Sequence, residues 1–148
     1  MTGPRAVLLL LFVVASCPAG QRMTPAEAAR LERQIQSAQA AQRAGRLDEA
    51  AAGFGDVIRR LPDLAEAHLS LGIIRHEQMR YPEAVQEFEL ALRLKPALPH
   101  ARAYLGLAYL QMAEIPKAVG ELEKAVKEDP SNAKVNGWLG MAYVAAGL

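Results

Sequence analysis

Residues that carry specific chemistry are scarce in this chain. There is one cysteine, Cys17, among 148 residues, which excludes an internal disulfide framework and a cysteine-rich zinc site. Aromatics make up 5% of the chain, too few for the stacking platforms that hold single-stranded nucleic acid. Neither sign of charge dominates: 17 Lys+Arg stand against 16 Asp+Glu, a formal net charge of +1. Phosphate binding needs clustered positive charge, so nucleic acid is not expected as a partner. The basic groups Arg59-Arg60, Arg93 with Lys95, and Lys124 with Lys127 fall near helix C-termini, where they complement the helix dipole.

Catalytic and metal signatures are also missing. The serines at 16, 37, 70 and 131 lie beside no plausible base. There is no HExxH, no Gly-x-Ser-x-Gly and no phosphate-binding glycine loop, and Gly53-Phe54-Gly55 reads as a glycine pair inside a helix. His68 and His76 would stand about 12 Å apart along one helix. His76 and His100, on neighbouring helices, would be offset by about 15 Å. Metal ligands sit about 2 Å from their ion, so neither pair can share one. No catalytic residue, metal or cofactor is expected, and His68 is expected to fill an interface within the fold.

Only one long apolar run occurs, AVLLLLFVVA at 6–15. It is half of the roughly 20 residues that a membrane-spanning helix needs. Arg5 precedes it, and the small residues Ser16, Cys17, Ala19 and Gly20 follow, the layout of a secretory leader. Residues 1–19 are assigned to it. Val14-Ala15-Ser16-Cys17 resembles a bacterial lipobox, which would place a lipid on Cys17 and anchor the chain to a membrane. Cleavage after Ala19 is the alternative. Either route predicts export, to the periplasm or to the outer membrane as a lipoprotein if the source is bacterial.

With 51% hydrophobic residues the remainder can build a core, and it repeats. Gly72, Gly106 and Gly140 are each 34 apart. Pro62, Pro96 and Pro130 keep that spacing, as do Ala50, Ala84 and Ala118, and Leu71, Leu105 and Leu139. Units fall at 31–64, 65–98 and 99–132, with a partial one at 133–148, after a lead-in at 20–30. Each unit reads as two helices, about 65–78 and 82–95 in the second. Tyr81, Ala84, Val85, Phe88 and Ala91 form the apolar stripe of the latter. Pro82 opens that helix and Pro96 ends it. The recurring glycine and alanine let the paired helices approach closely, so Gly72, Gly106, Gly140, Ala84 and Ala118 are the expected packing residues. Thr24-Pro25-Ala26-Glu27 reads as a capping box that starts a helix running to about Ala44.

These residues resemble the tetratricopeptide repeat: Leu71-Gly72, Ala84, Phe88, Ala91, Pro96; then Leu105-Gly106, Tyr109, Ala118, Leu122, Ala125, Pro130; then Leu139-Gly140 and Tyr143. The first unit is degenerate, with Ser37-Ala38 in place of Leu-Gly. The family's early aromatic is replaced throughout, by Gln34, His68, Arg102 and Asn136. The resemblance implies an all-α, right-handed α-solenoid of stacked helix-turn-helix repeats. Residues 142–147 then call for cover by a further helix, unless the last helix acts as the cap.

A second stripe runs along each first helix: Glu66, Leu69, Ile73 and His76; His100, Ala103, Leu107 and Leu110; Lys134, Gly137, Met141 and Val144. By resemblance it lines the concave groove. Leu69, Ile73, His76, His100, Leu107, Leu110 and Met141 are the expected protein-binding residues, with Leu107 facing the groove rather than the core. A partner protein or peptide is the expected cover, self-association the alternative. The family's terminal-carboxylate clamp is not expected, since its positions hold Ile35, Gln39, Ser70, His100 and Tyr104. The expected function is an exported, non-enzymatic scaffold, in a sharper form one assisting envelope or pilus assembly. The competing readings are the repeat region of a longer enzyme or sensor, and an oligomerisation module.

Overall fold

A computed structural model of the chain describes residues 23–148. The leader at 1–19 and Cys17 lie outside the described residues. Within them the secondary structure is helical, in seven helices: α1 Pro25–Arg43, α2 Leu47–Arg60, α3 Ala65–Glu77, α4 Tyr81–Leu94, α5 Ala101–Gln111, α6 Ile115–Glu128 and α7 Ala133–Ala145. None is long and apolar enough to cross a membrane.

Local chemistry sets the boundaries. Thr24 caps α1: its hydroxyl accepts from the Glu27 N–H at 3.2 Å, and its own N–H donates to the Glu27 carboxylate at 2.7 Å. That bond, to the backbone of Thr24, is the largest reason the Glu27 carboxyl is held below its ordinary range. At the other ends, α2, α4 and α6 stop two residues before Pro62, Pro96 and Pro130. The residue between is pushed out of the helical region, with φ of −129° at Leu61, −142° at Lys95 and −141° at Asp129, as the ring of a following proline demands.

The turns inside the units share one conformation. Gly45, Met79, Ala113 and Gly147 are all left-handed, with φ of 73°, 60°, 58° and 73°. After each, a backbone N–H reaches back to close the helix: Arg46 to Ala41, Arg80 to Arg75, Glu114 to Tyr109 and Leu148 to Tyr143, at 2.8 to 2.9 Å. This is the six-to-one bond of a Schellman cap. Glycine accepts that conformation freely, whereas Met79 and Ala113 carry a steric cost there.

Helices pack in order, each against the next from α1 to α7, while α3 also meets α5 and α5 meets α7. Within a unit the crossing is tight. A Cβ on Gly72 would lie 2.6 Å from the Phe88 ring, and one on Gly106 would lie 2.6 Å from Leu122 Cγ. Ala84 and Ala118, the small residues of α4 and α6, are fully buried. The first unit solves the same problem with the glycine on the other helix: Ala38 stands at the glycine position of α1, and Gly53 of α2 faces it, where a Cβ would come within 2.8 Å of the Ala38 Cβ. Gly53 is therefore a packing residue that the 34-residue register did not single out. Gly140 differs in the opposite sense. It is exposed, and nothing lies within 4 Å of a Cβ built on it, because no described helix packs over that face of α7.

The core falls into two main clusters. One joins α1, α2 and α3 around Leu31, Phe54, Val57 and Ile74. The other joins α4 to α7 around Phe88, Leu105, Tyr109 and Leu122. A smaller cluster of Ala65, Ala91, Leu98 and Ala101 links units two and three.

Candidate protein-binding groove

The first helices of units two, three and four, α3, α5 and α7, carry the stripe predicted to meet a partner. The contacts of α5 with α3 and α7 bring these helices side by side. Leu69, Ile73 and Leu110 are half-buried, lying against the larger core cluster with part of each side chain open. Met141 is 52% exposed and Val144 77% exposed at the α7 end. An apolar strip thus runs across α3, α5 and α7, shallow in the middle and open at the end.

Three positions differ from the expectation. Leu107 is 8% exposed and Ala103 is 3% exposed. α5 has a neighbour on each side, and the middle of its stripe is closed by them. Leu107 thus belongs to the core more than to the groove surface. His100 does not sit on α5 at all. It is the exposed residue before it, left-handed at φ 66°. His76 is half-buried against Tyr81, ring centroids 5.2 Å apart in an edge-on arrangement. Burial, the largest influence, lowers its pKa below the ordinary histidine value, and its buried Nε2 has no hydrogen-bond partner among the described residues.

The structure adds an aromatic row that the stripe omits. Phe88 and Tyr104 stack at 5.9 Å between centroids, and Tyr104 and Trp138 approach at 5.8 Å. Tyr104 and Trp138 are half-buried, on α5 and α7, at one register position 34 residues apart. That spacing was the available signal for them. The Lys134 ammonium lies 5.8 Å from the Trp138 ring centroid, within cation–π reach. At the other end of the strip the polar residues are already engaged. Glu66 pairs with Lys95 at 2.7 Å, and the Gln42 amide donates to Glu77 at 3.1 Å.

The second helices tie each unit to the next. The Tyr109 hydroxyl donates to Glu89 at 2.7 Å, and Tyr143 to Glu123 at 2.7 Å. Burial first, then the bond to Glu89, pushes the Tyr109 phenol up to about 12. The bond to Glu123 is the chief cause that raises Tyr143. At the junction of units one and two the corresponding residues are Arg75 and Gly55. No such tie can form there, and an open cleft of about 460 Å3 lies between Gly55, Asp48, Asp56 and Arg75. Asp48 already accepts from the Gln78 amide at 2.7 Å, and Arg75 donates to Gln78 at 3.0 Å.

Comparison with known proteins agrees with this geometry. The model of the family described as the tetratricopeptide repeat matches residues 35–99 and 104–148. Solved structures similar to the chain include the first such domain of Spaghetti (RPAP3) bound to an HSP90 peptide, at 15% identity and TM-score 0.77, with 80% of this chain and 94% of that one covered. The Sgt2 domain from Aspergillus fumigatus matches at 17% identity and TM-score 0.77, covering 88% and 85%. The O-GlcNAc transferase of Thermobaculum terrenum matches at 24% identity and TM-score 0.76, covering 82% of this chain and 23% of that one. No curated protein matches the chain. With its helix pairs, its 34-residue register and a family model matched over more than half its length, the chain belongs to the tetratricopeptide repeat family.

Proposed function

We propose that the protein is a non-enzymatic scaffold that holds a segment of a partner protein against the faces of α3, α5 and α7. The observation that carries this reading is the set of apolar side chains Leu69, Ile73, Leu110, Tyr104, Trp138 and Met141 on these three helices, each at least partly open to solvent. A strip of this kind suits an amphipathic helix or an extended segment with two or three apolar anchors. Chaperone tails such as the HSP90 peptide held by the Spaghetti domain are not the proposed ligand. Ile35, Gln39, Ser70, His100 and Tyr104 stand at the positions of the family's carboxylate clamp and offer no fixed positive pair.

Selection from a displayed peptide library tests this. Selected sequences should share apolar anchors, and Met141→Glu should abolish their binding while Lys127→Glu, on α6, leaves it intact. Peptides without apolar anchors, or binding indifferent to Met141→Glu, would count against the groove.

A second reading is the repeat region of a longer enzyme, favoured by the likeness to a transferase of which the chain spans 23%. Sequence encoded downstream of Leu148 decides between them. Self-association as the cover of the strip is separated by molar mass in solution. Export rests on the sequence of residues 1–19. Intact mass of the mature protein should show loss of residues 1–16 with lipid on Cys17, or loss of 1–19 without it. The envelope setting depends on that outcome.

A further inference from the structure

The position where the family carries an early aromatic has acquired another use. In three units its residue reaches back six places to the carbonyl of the proline in the preceding turn. The Asn136 amide donates to the Pro130 carbonyl at 3.0 Å, His68 Nε2 lies 2.9 Å from the Pro62 carbonyl oxygen, and Arg102 Nη2 lies 3.5 Å from that of Pro96. In units two and three the same residue also crosses to the second helix. Arg102 Nη1 donates to Glu121 at 3.3 Å, and His68 Nδ1 lies 2.7 Å from Glu87 Oε2. Glu87 and Glu121 are equivalent, 34 residues apart. Each side chain is a strut between the turn that enters a unit and the helix that completes it.

The two struts differ in how many protons they own. Arg102 is a guanidinium with five donors at any working pH, and it spends one more on Glu128 at 2.6 Å. His68 is 4% exposed, and both its ring nitrogens face oxygen. The Pro62 carbonyl can only accept. The ionised Glu87 carboxylate can only accept. A neutral imidazole has one N–H and meets one of them; the imidazolium meets both. Glu87, from α4, is the only acid within 4.0 Å of the ring nitrogens among the described residues. On its own helix, Glu66 is engaged by Lys95.

We propose that His68 is a proton-operated strut. With both ring nitrogens protonated it ties the α2–α3 turn to α4 as Arg102 ties its own unit. Loss of one ring proton leaves two acceptors facing a single donor, and one tie is released. The element that loosens is α3, which carries Leu69 and Ile73, so proton binding at a buried site behind the strip adjusts how the strip is presented. Units three and four, with Arg102 and Asn136, have no such dependence at this position. The proposal stands independently of what the strip binds.

The two acceptors that face the ring set the sign the proposal expects. The stabilisation exists while the ring holds both protons and disappears as the pH rises. Melting temperatures of the wild type, His68→Arg and Glu87→Gln should be compared at about pH 5.5 and about pH 8.5, either side of the ordinary histidine range near ~6.5. The other two histidines are common to all three proteins and cancel in the comparison. The wild type should lose on the order of 4 °C more than His68→Arg, whose donors never leave. Glu87→Gln should also be flat, because an amide can donate to an unprotonated Nδ1. Nitrogen-15 spectra of the wild-type ring provide a readout that needs no variant to fold: both His68 nitrogens should carry protons at the acid pH, and one should lose its proton at the alkaline pH. Equal losses in wild type and His68→Arg, or one bare ring nitrogen already at the acid pH, would overturn the proposal.

Discussion

The first unit and the two units after it reach the same helix crossing from opposite sides. In units two and three the first helix supplies the glycine and the second a bulky side chain, Gly72 with Phe88 and Gly106 with Leu122. In unit one the first helix supplies Ala38 and the second supplies Gly53. Phe54, the register equivalent of Phe88, stays buried in unit one, so Ala38 at the glycine position is accommodated by a small residue one place earlier on the second helix, Gly53, where units two and three carry Glu87 and Glu121. The partial fourth unit completes the comparison. Gly140 keeps the glycine of the register, yet no described helix presses on it, so the residue is present without the constraint.

That comparison can be broken most severely at unit three. Gly106→Leu should destabilise by about 3 kcal/mol, the upper part of the overpacking range, while Gly140→Leu stays within about 0.5 kcal/mol. Thermal or urea unfolding of the pair measures both. Equal losses would mean that the face of α7 is covered in the folded protein.

The swapped glycine makes a subtler prediction. Gly53→Ala should clash with Ala38, and adding Ala38→Gly should relieve it. A double-mutant cycle should therefore return a coupling of about 1 kcal/mol between the two positions. A cycle that closes additively would show that the first unit is not held by this crossing.

Tyr109→Phe removes the tie to Glu89 and should cost about 1 kcal/mol at neutral pH. It should also change the alkaline limb. An unfolded tyrosine ionises near ~10, whereas burial and then Glu89 hold the Tyr109 phenol up to about 12. Its contribution is complete below the unfolded value and is lost as the pH rises through the folded one. Melting temperature against pH should fall less steeply there in Tyr109→Phe than in the wild type. The smallest effect is expected in the turns. Ala113→Gly relieves a left-handed alanine and should gain about 0.5 kcal/mol, since glycine's extra unfolded freedom offsets part of the relief.

Much of this architecture was legible in the sequence because its signals are local or strictly periodic. The capping box at Thr24, the prolines at 62, 96 and 130, and the glycines at 72 and 106 each act on their nearest neighbours, so spacing alone located them. The groove was legible only in outline. Its stripe follows from the geometry of one helix, but burial depends on what flanks that helix. Leu107 lies on α5, with α3 and α7 on either side, and is closed over; Met141 on α7 has no such cover and stays open. Trp138 was overlooked, and Tyr104 was weighed only as a clamp position, although their 34-residue spacing marks the pair. Nor could the struts be read from residue type, since Gln34, His68, Arg102 and Asn136 look unrelated until the proline carbonyls appear beside three of them.

The central claim is that the faces of α3, α5 and α7 hold a partner segment. Titrating a library-selected peptide into isotope-labelled protein and following methyl resonances tests it most directly. The account predicts shifts concentrated at Leu69, Ile73, Leu110 and Met141, with Val85 and Val119 on α4 and α6 unmoved. Shifts confined to α2, α4 and α6, with those four side chains silent, would contradict it.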